Sequence, residues 1–484
     1  MIMIRTRFAP SPTGFLHVGG LRTALYAYLF AKKNQGNFLL RIEDTDKTRE
    51  VAGGTQNIIN TLHWADMFFD EGPEIDGPYG PYTQSQRLEL YQKHAQQLIA
   101  AGHAYYCFCS AERLDAVRQA QIAAKQPPAY DRLCRKLSPE EVQIKLATSE
   151  KQVIRMKVPL TGSITFHDII RNDVSIGYNV VDDQVIIKSD GFPTYHLAVV
   201  VDDHYMHISH VIRGEEWLPS TPKHLLLYQY FGWQAPQFAH LPLLLNPDRS
   251  KLSKRQGDVA VEDYRAKGYL KEALINFIAF LGWNPGDTRE IFSLKELEQE
   301  FSLERVGSAG AVFNIEKLNW LNHQHIMRKS DEEVLSMVKP LMEQAGWDIP
   351  DDTYCLRIIK VLKERLVVLP DFITYGDYFF NAPSIFDETA VTKHWHHYTP
   401  EHIALFVERV KELTSWDVLS LEAALKATLE QTGIKMGALM APLRITLTGF
   451  AQGVSVYELM EILGKTESLK RIAYGVETLT KQTR

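Results

Sequence analysis

Phe8-Ala9-Pro10-Ser11-Pro12-Thr13-Gly14-Phe15-Leu16-His17-Val18-Gly19-Gly20 stands between two differently patterned runs. Before it, Ile2, Ile4 and Phe8 occupy even positions, as in a half-buried strand. Pro10, Pro12 and Gly14 break that strand, and Leu21, Ala24, Leu25, Tyr28 and Leu29 then follow at helical spacing. Gly19 and Gly20 therefore fall at the start of a helix. Backbone N–H groups and the positive end of the dipole can meet phosphate there, and a missing Cβ allows close approach. His17 can donate a hydrogen bond to phosphate oxygens as negative charge develops. Phe38 to Ile42 reads as the next strand, closing a right-handed βαβ unit. It ends in Arg41, Glu43, Asp44 and Asp46 at the carboxyl edge, where such sheets bind ligands.

A four-residue His-x-Gly-Gly is also compatible with an ordinary loop. A second stretch narrows the choice. In Lys251-Leu252-Ser253-Lys254-Arg255, between Pro247 and Gly257, two ammonium groups three residues apart suit a pentavalent phosphate transition state. A solvated charge run is the plainer reading of that segment taken alone. Other nucleotide folds fit worse: Gly464-Lys465-Thr466 lacks the glycine five positions earlier that a Walker loop requires, and no Gly-x-Gly-x-x-Gly follows the first strand.

The same chain carries Arg41-Ile42-Glu43-Asp44-Thr45-Asp46, Tyr79-Gly80-Pro81-Tyr82-Thr83-Gln84-Ser85 and Lys188-Ser189-Asp190-Gly191-Phe192-Pro193-Thr194-Tyr195-His196-Leu197. Val201-Asp202-Asp203-His204 and Val211-Ile212-Arg213-Gly214-Glu215-Glu216-Trp217 belong to the same pattern. With the two signatures, these strings resemble the bacterial glutamyl-tRNA synthetases, class I aminoacyl-tRNA synthetases, over essentially the whole length.

The resemblance implies an α/β Rossmann-type catalytic domain with a parallel sheet, split by an inserted α+β domain and followed by an all-α anticodon-binding region. It implies ATP-dependent attachment of L-glutamate to tRNA(Glu) through a glutamyl adenylate, with Mg2+ arriving on the ATP. ATP would be met by His17, Gly19, Gly20, Lys251, Ser253 and Lys254, with His17, Lys251 and Lys254 carrying the catalysis. Arg7, Ala9, Ser11, Glu43, Tyr195 and Arg213 would surround the amino acid. Arg213 would clamp a carboxylate and Glu43 meet the ammonium, a structural ion pair being the alternative for Arg7 and Arg213. Arg365, on a helix with Arg357, Lys360 and Lys363, would read the anticodon, although such a basic face can also be merely solvated. The expected enzyme is restricted to tRNA(Glu), and the alternative is one that also glutamylates tRNA(Gln).

Composition sets the frame. A chain of 484 residues with 45% hydrophobic content can bury several cores. Its net charge of −6 leaves tRNA to be met by local basic surface. No signal-like or bilayer-length apolar run is present, so a cytoplasmic monomer with no membrane partner is expected. The expected domains are about 1–95 plus 190–235 (catalytic), 96–189 (inserted, holding the tRNA acceptor end), 236–325 (connecting, with the lysine loop) and 326–484 (helical). Helical faces in the last include Val334, Leu335, Val338, Leu341 and Met342, then Leu356, Ile359 and Leu362, then Leu405, Phe406 and Val410.

Four cysteines in so long a chain argue against a disulfide scaffold. Cys107, Cys109 and Cys134 make a plausible but incomplete Zn2+ set. Some family members complete it with a His where this chain has Lys136. Tyr130 is the leading fourth ligand, with Asp131 and water as alternatives; Cys355 reads as a core residue.

Overall fold

The protein is described from a computed structural model, covering residues 3–148, 151–252 and 259–482. The chain divides into two compact units, Met1–Ala266 with Lys271–Leu318, and Lys267–Leu270 with Asn319–Arg484.

The first unit is built on β1 (Arg5–Phe8), α1 (Val18–Lys33) and β2 (Asn37–Leu40), with β1 and β2 parallel from Arg5↔Asn37 to Phe8↔Leu40. His17 caps α1, and Lys32 and Lys33 in its last turn complement the negative end of the dipole. The expected half-buried β1 is instead buried along all four residues; Ile2 lies outside the described residues. Alternation fails because the arginines on the nominally polar face are paired inside the protein: Arg5 makes two hydrogen bonds to Glu71 (2.7 and 2.9 Å) and Arg7 two to Asp203 (3.0 and 3.2 Å). A buried guanidinium is tolerable when a carboxylate neutralises it.

After α2 (Gly54–Trp64) and α3 (Leu88–Ala100), the chain forms β3 (Ala104–Cys107), α4 (Ala111–Ala123), α5 (Pro139–Thr148) and β4 (Val153–Met156). A hairpin of β5 (Ser163–Asp168) and β6 (Asn172–Gly177) precedes β7 (Val185–Ile187), and β3, β4 and β7 make a small antiparallel sheet. The catalytic pattern then resumes as α6 (Tyr195–Tyr205), β8 (His210–Gly214), α7 (Thr221–Phe231) and β9 (Gln237–Leu241). β8 and β9 are parallel, and Ser209 N–H donates to Arg5 O (2.9 Å), bringing β8 beside β1. The β5–β6 hairpin is not confined to the small sheet's neighbourhood: β5 pairs with β9 at Asp168↔Phe238, giving the order β6-β5-β9-β8.

The second unit contains no strand among its described residues. Helix Asp331–Gln344 starts with a reciprocal cap between Ser330 and Glu333 and buries Val334, Leu335, Val338 and Met342, while Leu341 is half-buried. Helix Asp352–Leu362 buries Cys355, Ile358, Ile359 and Leu362, with Leu356 half-buried, and helix Thr399–Lys411 buries Ile403, Phe406 and Val410. The expected basic face is interrupted. The helix ends at Leu362, so Lys363 and Arg365 lie on a 3-10 turn, and Lys363 turns inward to Asp331 (3.0 Å). Arg357 donates to Glu461 O (2.9 Å).

The turn from α1 into β2 has no room for a side chain. A Cβ on Gly36 would overlap the carbonyl of Ile4, the oxygen that accepts Asn37 N–H (2.9 Å) and begins the β1–β2 pairing. Gly36→Ala is expected to destabilise the first unit by about 1–3 kcal/mol through overpacking; thermal unfolding of the variant beside the parent checks it, and an unchanged transition contradicts it.

Candidate active site

Two distant segments are stitched together at the N-terminus of α1. Val18 N–H donates to Val259 O (2.9 Å) and Val261 N–H to Leu16 O (3.0 Å), around a bridge between His17 and Ala260. On the other flank of the lysine segment, Lys251 bridges Leu245, and Leu252 N–H donates to Leu244 O (2.9 Å). Both flanks thus sit against the glycine turn; a Cβ on Gly19 would lie 3.7 Å from Leu244 Cδ1. Ser253 and Lys254 lie outside the described residues, and Lys251 is exposed.

The glycine pair divides its work. Gly19 N–H is already taken by His17 Nδ1 (2.9 Å), so it is not open to phosphate as the sequence alone suggests. The amide of Gly20 has no protein acceptor among the described residues, and a Cβ there would lie 2.9 Å from Leu16 Cδ1. Because His17 Nδ1 accepts, the proton of its neutral ring is on Nε2.

This turn forms one wall of a cavity of about 500 Å³ whose lining includes Arg7, Ala9, Ser11, His17, Glu43, Tyr195 and Arg213, together with both glycines. Lys251 is not among the lining residues. The charges in the wall differ in kind. Arg7 is held by Asp203, which also accepts from Arg41 Nη1 (2.7 Å); Arg41, wholly buried, donates to Glu43 Oε1 (3.0 Å). Burial pushes Glu43 up to about 7, against the pull of Arg41 and Arg7.

Arg213 is different. Its Nε donates to His240 Nε2 (3.0 Å), Nη1 to Tyr195 Oη (3.2 Å) and to His224 Nδ1 (3.1 Å), and Nη2 to Thr221 Oγ1 (2.8 Å). All of these acceptors are neutral: burial first, then Arg213 among the nearby cations, holds His224 well below the usual imidazole range, and burial lowers His240. Arg5, Arg7, Arg41 and Arg87 each have a carboxylate, whereas Arg213, 5% exposed, has no ion pair among the described residues. Asp203, Thr221, His224 and His240 escape the sequence reading as site residues. Only Asp203 carries a signal, in the Val201-Asp202-Asp203-His204 string.

Away from this cavity, the sulfur atoms of Cys107, Cys109 and Cys134 lie within 4.8 Å of one another, and Cys109 and Cys134 are 3.5 Å apart. Tyr130 Oη is 3.3 Å from Cys107 Sγ and 3.4 Å from Cys109 Sγ, and accepts from Cys134 N–H (3.0 Å). A tetrahedral zinc with bonds of about 2.3 Å to sulfur and about 2.0 Å to oxygen sets its ligands roughly 3.5–3.8 Å apart, close to the separations of Tyr130 Oη from Cys107 and Cys109 and of Cys109 from Cys134. Asp131, the alternative ligand, is instead committed to Arg113. Lys136 ends the 3-10 turn Leu133–Lys136 that carries Cys134.

In the second unit, Arg365 lines a separate cavity of about 690 Å³ with Tyr375, Tyr378, Lys393, His394 and Phe450. Its Nη2 donates to Gly453 O (2.9 Å).

Residues 3–320 match the family model for the catalytic domain of class I tRNA synthetases (E and Q), and residues 333–476 match an anticodon binding domain. The chain is 51% identical to the glutamate–tRNA ligase of Chlorobium chlorochromatii, across 99% of this chain and 98% of that one. It is 49% identical to that of Chloroherpeton thalassium, across 99% of both. A crystal structure of a glutamate tRNA ligase from Elizabethkingia meningosepticum, in complex with its amino acid, superimposes with a TM-score of 0.93 at 42% identity, covering 98% of this chain and 99% of that one. The glycine turn joined to the lysine segment, the charged cavity beside it and these likenesses together place the chain in the glutamate–tRNA ligase family of class I aminoacyl-tRNA synthetases.

Proposed function

We propose that this chain activates L-glutamate with ATP and transfers it to tRNA(Glu). The observation that carries the reading is Arg213, a buried guanidinium held only by neutral acceptors and facing the same cavity as Glu43. Such a site can take one carboxylate at the unpaired cation and an ammonium at Glu43, which suits an amino acid whose side-chain carboxylate is held while its α-carboxylate stays free to react. Arg7, paired with Asp203, completes the wall with Ala9, Ser11 and Tyr195.

In the proposed reaction the α-carboxylate of glutamate attacks the α-phosphorus of ATP in line, and pyrophosphate leaves. The terminal 2′-hydroxyl of tRNA then attacks the acyl carbon, and AMP leaves. The protein's contribution is positioning and charge. His17, its proton fixed on Nε2, donates to phosphate oxygens; Gly19 and Gly20 let the nucleotide approach; Lys251, Ser253 and Lys254 supply cations and a hydroxyl from the other segment. Mg2+ enters with the ATP phosphates. Residues 1–95 with 190–235 would do this chemistry, 96–189 hold the acceptor end, 236–325 connect, and 326–484 bind the anticodon. Within the last, Arg365 and the neighbouring aromatic rings suit an unstacked base. Zn2+ on Cys107, Cys109, Cys134 and Tyr130 would be structural. Burial and the adjacent thiols keep the Tyr130 hydroxyl protonated without a metal, so binding would release its proton. Among the described residues no helix is long and apolar enough to cross a membrane.

ATP–pyrophosphate exchange driven by glutamate, with and without tRNA, tests the whole reading; no exchange under either condition overturns it. Arg213→Ala is expected to raise the glutamate KM about 100-fold, the loss of a charge-assisted contact of a few kcal/mol, with the ATP KM little changed. Equal effects on both substrates remove Arg213 from the amino-acid pocket.

The pH dependence has a definite sign. With Glu43 titrating at about 7 in the empty site, its carboxyl is neutral below that pH and ionised above it. Since kcat/KM follows the free enzyme, its value for glutamate should climb as pH rises from about 6 to about 8 and then level off. A profile flat over that interval contradicts the role given to Glu43.

Metal analysis of protein purified without added zinc should return close to one zinc per chain, falling sharply in Cys109→Ser. Fully active, metal-free protein with three titratable thiols in this region would defeat the zinc assignment.

A further inference from the structure

We infer that Asp168 and His240 are positioning residues that hold Arg213 for the substrate's carboxylate, an inference that rests on Arg213 being the glutamate clamp. Asp168 ends β5 and His240 lies in β9, and both side chains are 0% exposed. Asp168 Oδ2 accepts from His240 Nδ1 at 2.6 Å, while Oδ1 accepts from the amides of Ile170 and Arg171, each at 3.0 Å. The amide of His240 also points at both oxygens (3.3 and 3.2 Å). Burial alone would raise Asp168, but the bonds from His240 and these amides keep it below the ordinary carboxylate range.

An ionised Asp168 fixes the His240 proton on Nδ1 and leaves Nε2 as a lone pair. That lone pair is where Arg213 Nε–H arrives, at 3.0 Å. The opposite tautomer would set N–H against N–H, and a protonated ring would set two cations side by side. Thr221 Oγ1, 3.2 Å from His240 Nε2, takes Nη2 of the same guanidinium. His224, itself tied to His196 (3.1 Å), takes Nη1.

The guanidinium is therefore fixed in plane and rotation by groups that do not neutralise it. Asp168 acts through the His240 imidazole and makes no bond to the guanidinium itself. Replacing that relay by a direct ion pair would fill the vacancy that glutamate is proposed to occupy. The arrangement gives orientation while keeping the charge available.

The test is tRNA-supported exchange on the full chain, with the glutamate KM, the ATP KM and kcat measured separately for His240→Leu, His240→Gln, Asp168→Asn and Arg213→Ala. His240→Leu and Asp168→Asn should raise the glutamate KM tenfold or more with the ATP KM within twofold. His240→Gln, whose amide oxygen can stand near the Nε2 position, should return the glutamate KM to within threefold of the parent. If Arg213→Ala raises the glutamate KM while His240→Leu leaves it unchanged, or raises both KM values equally, the positioning role is overturned and the clamp stands. If Arg213→Ala leaves the glutamate KM unchanged, the clamp falls, and the positioning role with it. Should the variants not fold, the 15N spectrum of histidine-labelled parent protein decides: Nδ1–H on His240 at pH 7 supports the relay, and Nε2–H overturns it.

Discussion

Asp203 is shared by two buried guanidiniums, Arg7 and Arg41, and the catalytic unit is arranged around that sharing. One carboxylate cannot offset two cations, so further acids are drawn in: Glu43 beside Arg41, and Asp202, which accepts from Arg87 Nε (2.7 Å), Gln84 Nε2 (2.8 Å) and Tyr91 Oη (2.7 Å). These bonds tie β1, the end of β2, α3 and α6 into one charged core. Removing one partner from such a buried set costs about 3–5 kcal/mol, because the remaining charge is stranded. Arg213, on the same cavity wall, is treated differently, held by His240, Tyr195, His224 and Thr221 and by no carboxylate among the described residues.

Much of this architecture is legible from local sequence signals. The strand, the Pro- and Gly-rich break and the helix near the N-terminus announce themselves by period and punctuation, and the helices after Asp331 by apolar spacing. What escapes is whatever depends on a distant partner. Strand alternation sets Arg5 and Arg7 opposite Ile4 and Phe8 and gives no sign of the carboxylates that bury them, which lie 66 and 196 residues away in sequence. Lys363 reads as part of a solvent-facing basic stripe, yet it is turned inward by Asp331 on another helix. Asp168 and His240, 72 residues apart, belong to no motif and carry no signal that spacing could detect.

The candidate site shows the same division. Residues from several of the quoted strings, among them Ala9, Ser11, His17, Glu43, Tyr195 and Arg213, gather in one cavity because those strings end strands or begin helices at the same sheet edge. The state of each group is a property of packing. Gly19 is engaged by His17 and Gly20 is not; Glu43 is raised by burial despite a neighbouring guanidinium; Asp131 is claimed by Arg113 while Tyr130 faces the thiols. Residue identity selects the candidates, and the local dielectric and hydrogen-bond geometry decide what each can do.

The β5–β6 hairpin has a consequence for modularity. Its strands lie between β4 and β7 in sequence, yet β5 is bonded to β9 and continues the sheet that carries Arg213. The segment between the two halves of the catalytic fold is thus not a cassette that could be lifted out and its ends rejoined. Excision would bare the flank of β9, leave unpaired amides and carbonyls inviting intermolecular strand addition, and delete Asp168 with the same cut. Any lineage or engineer shortening this chain would have to retain the hairpin while trimming around it, so the boundary that matters for inheritance runs through the insertion and not at its edges.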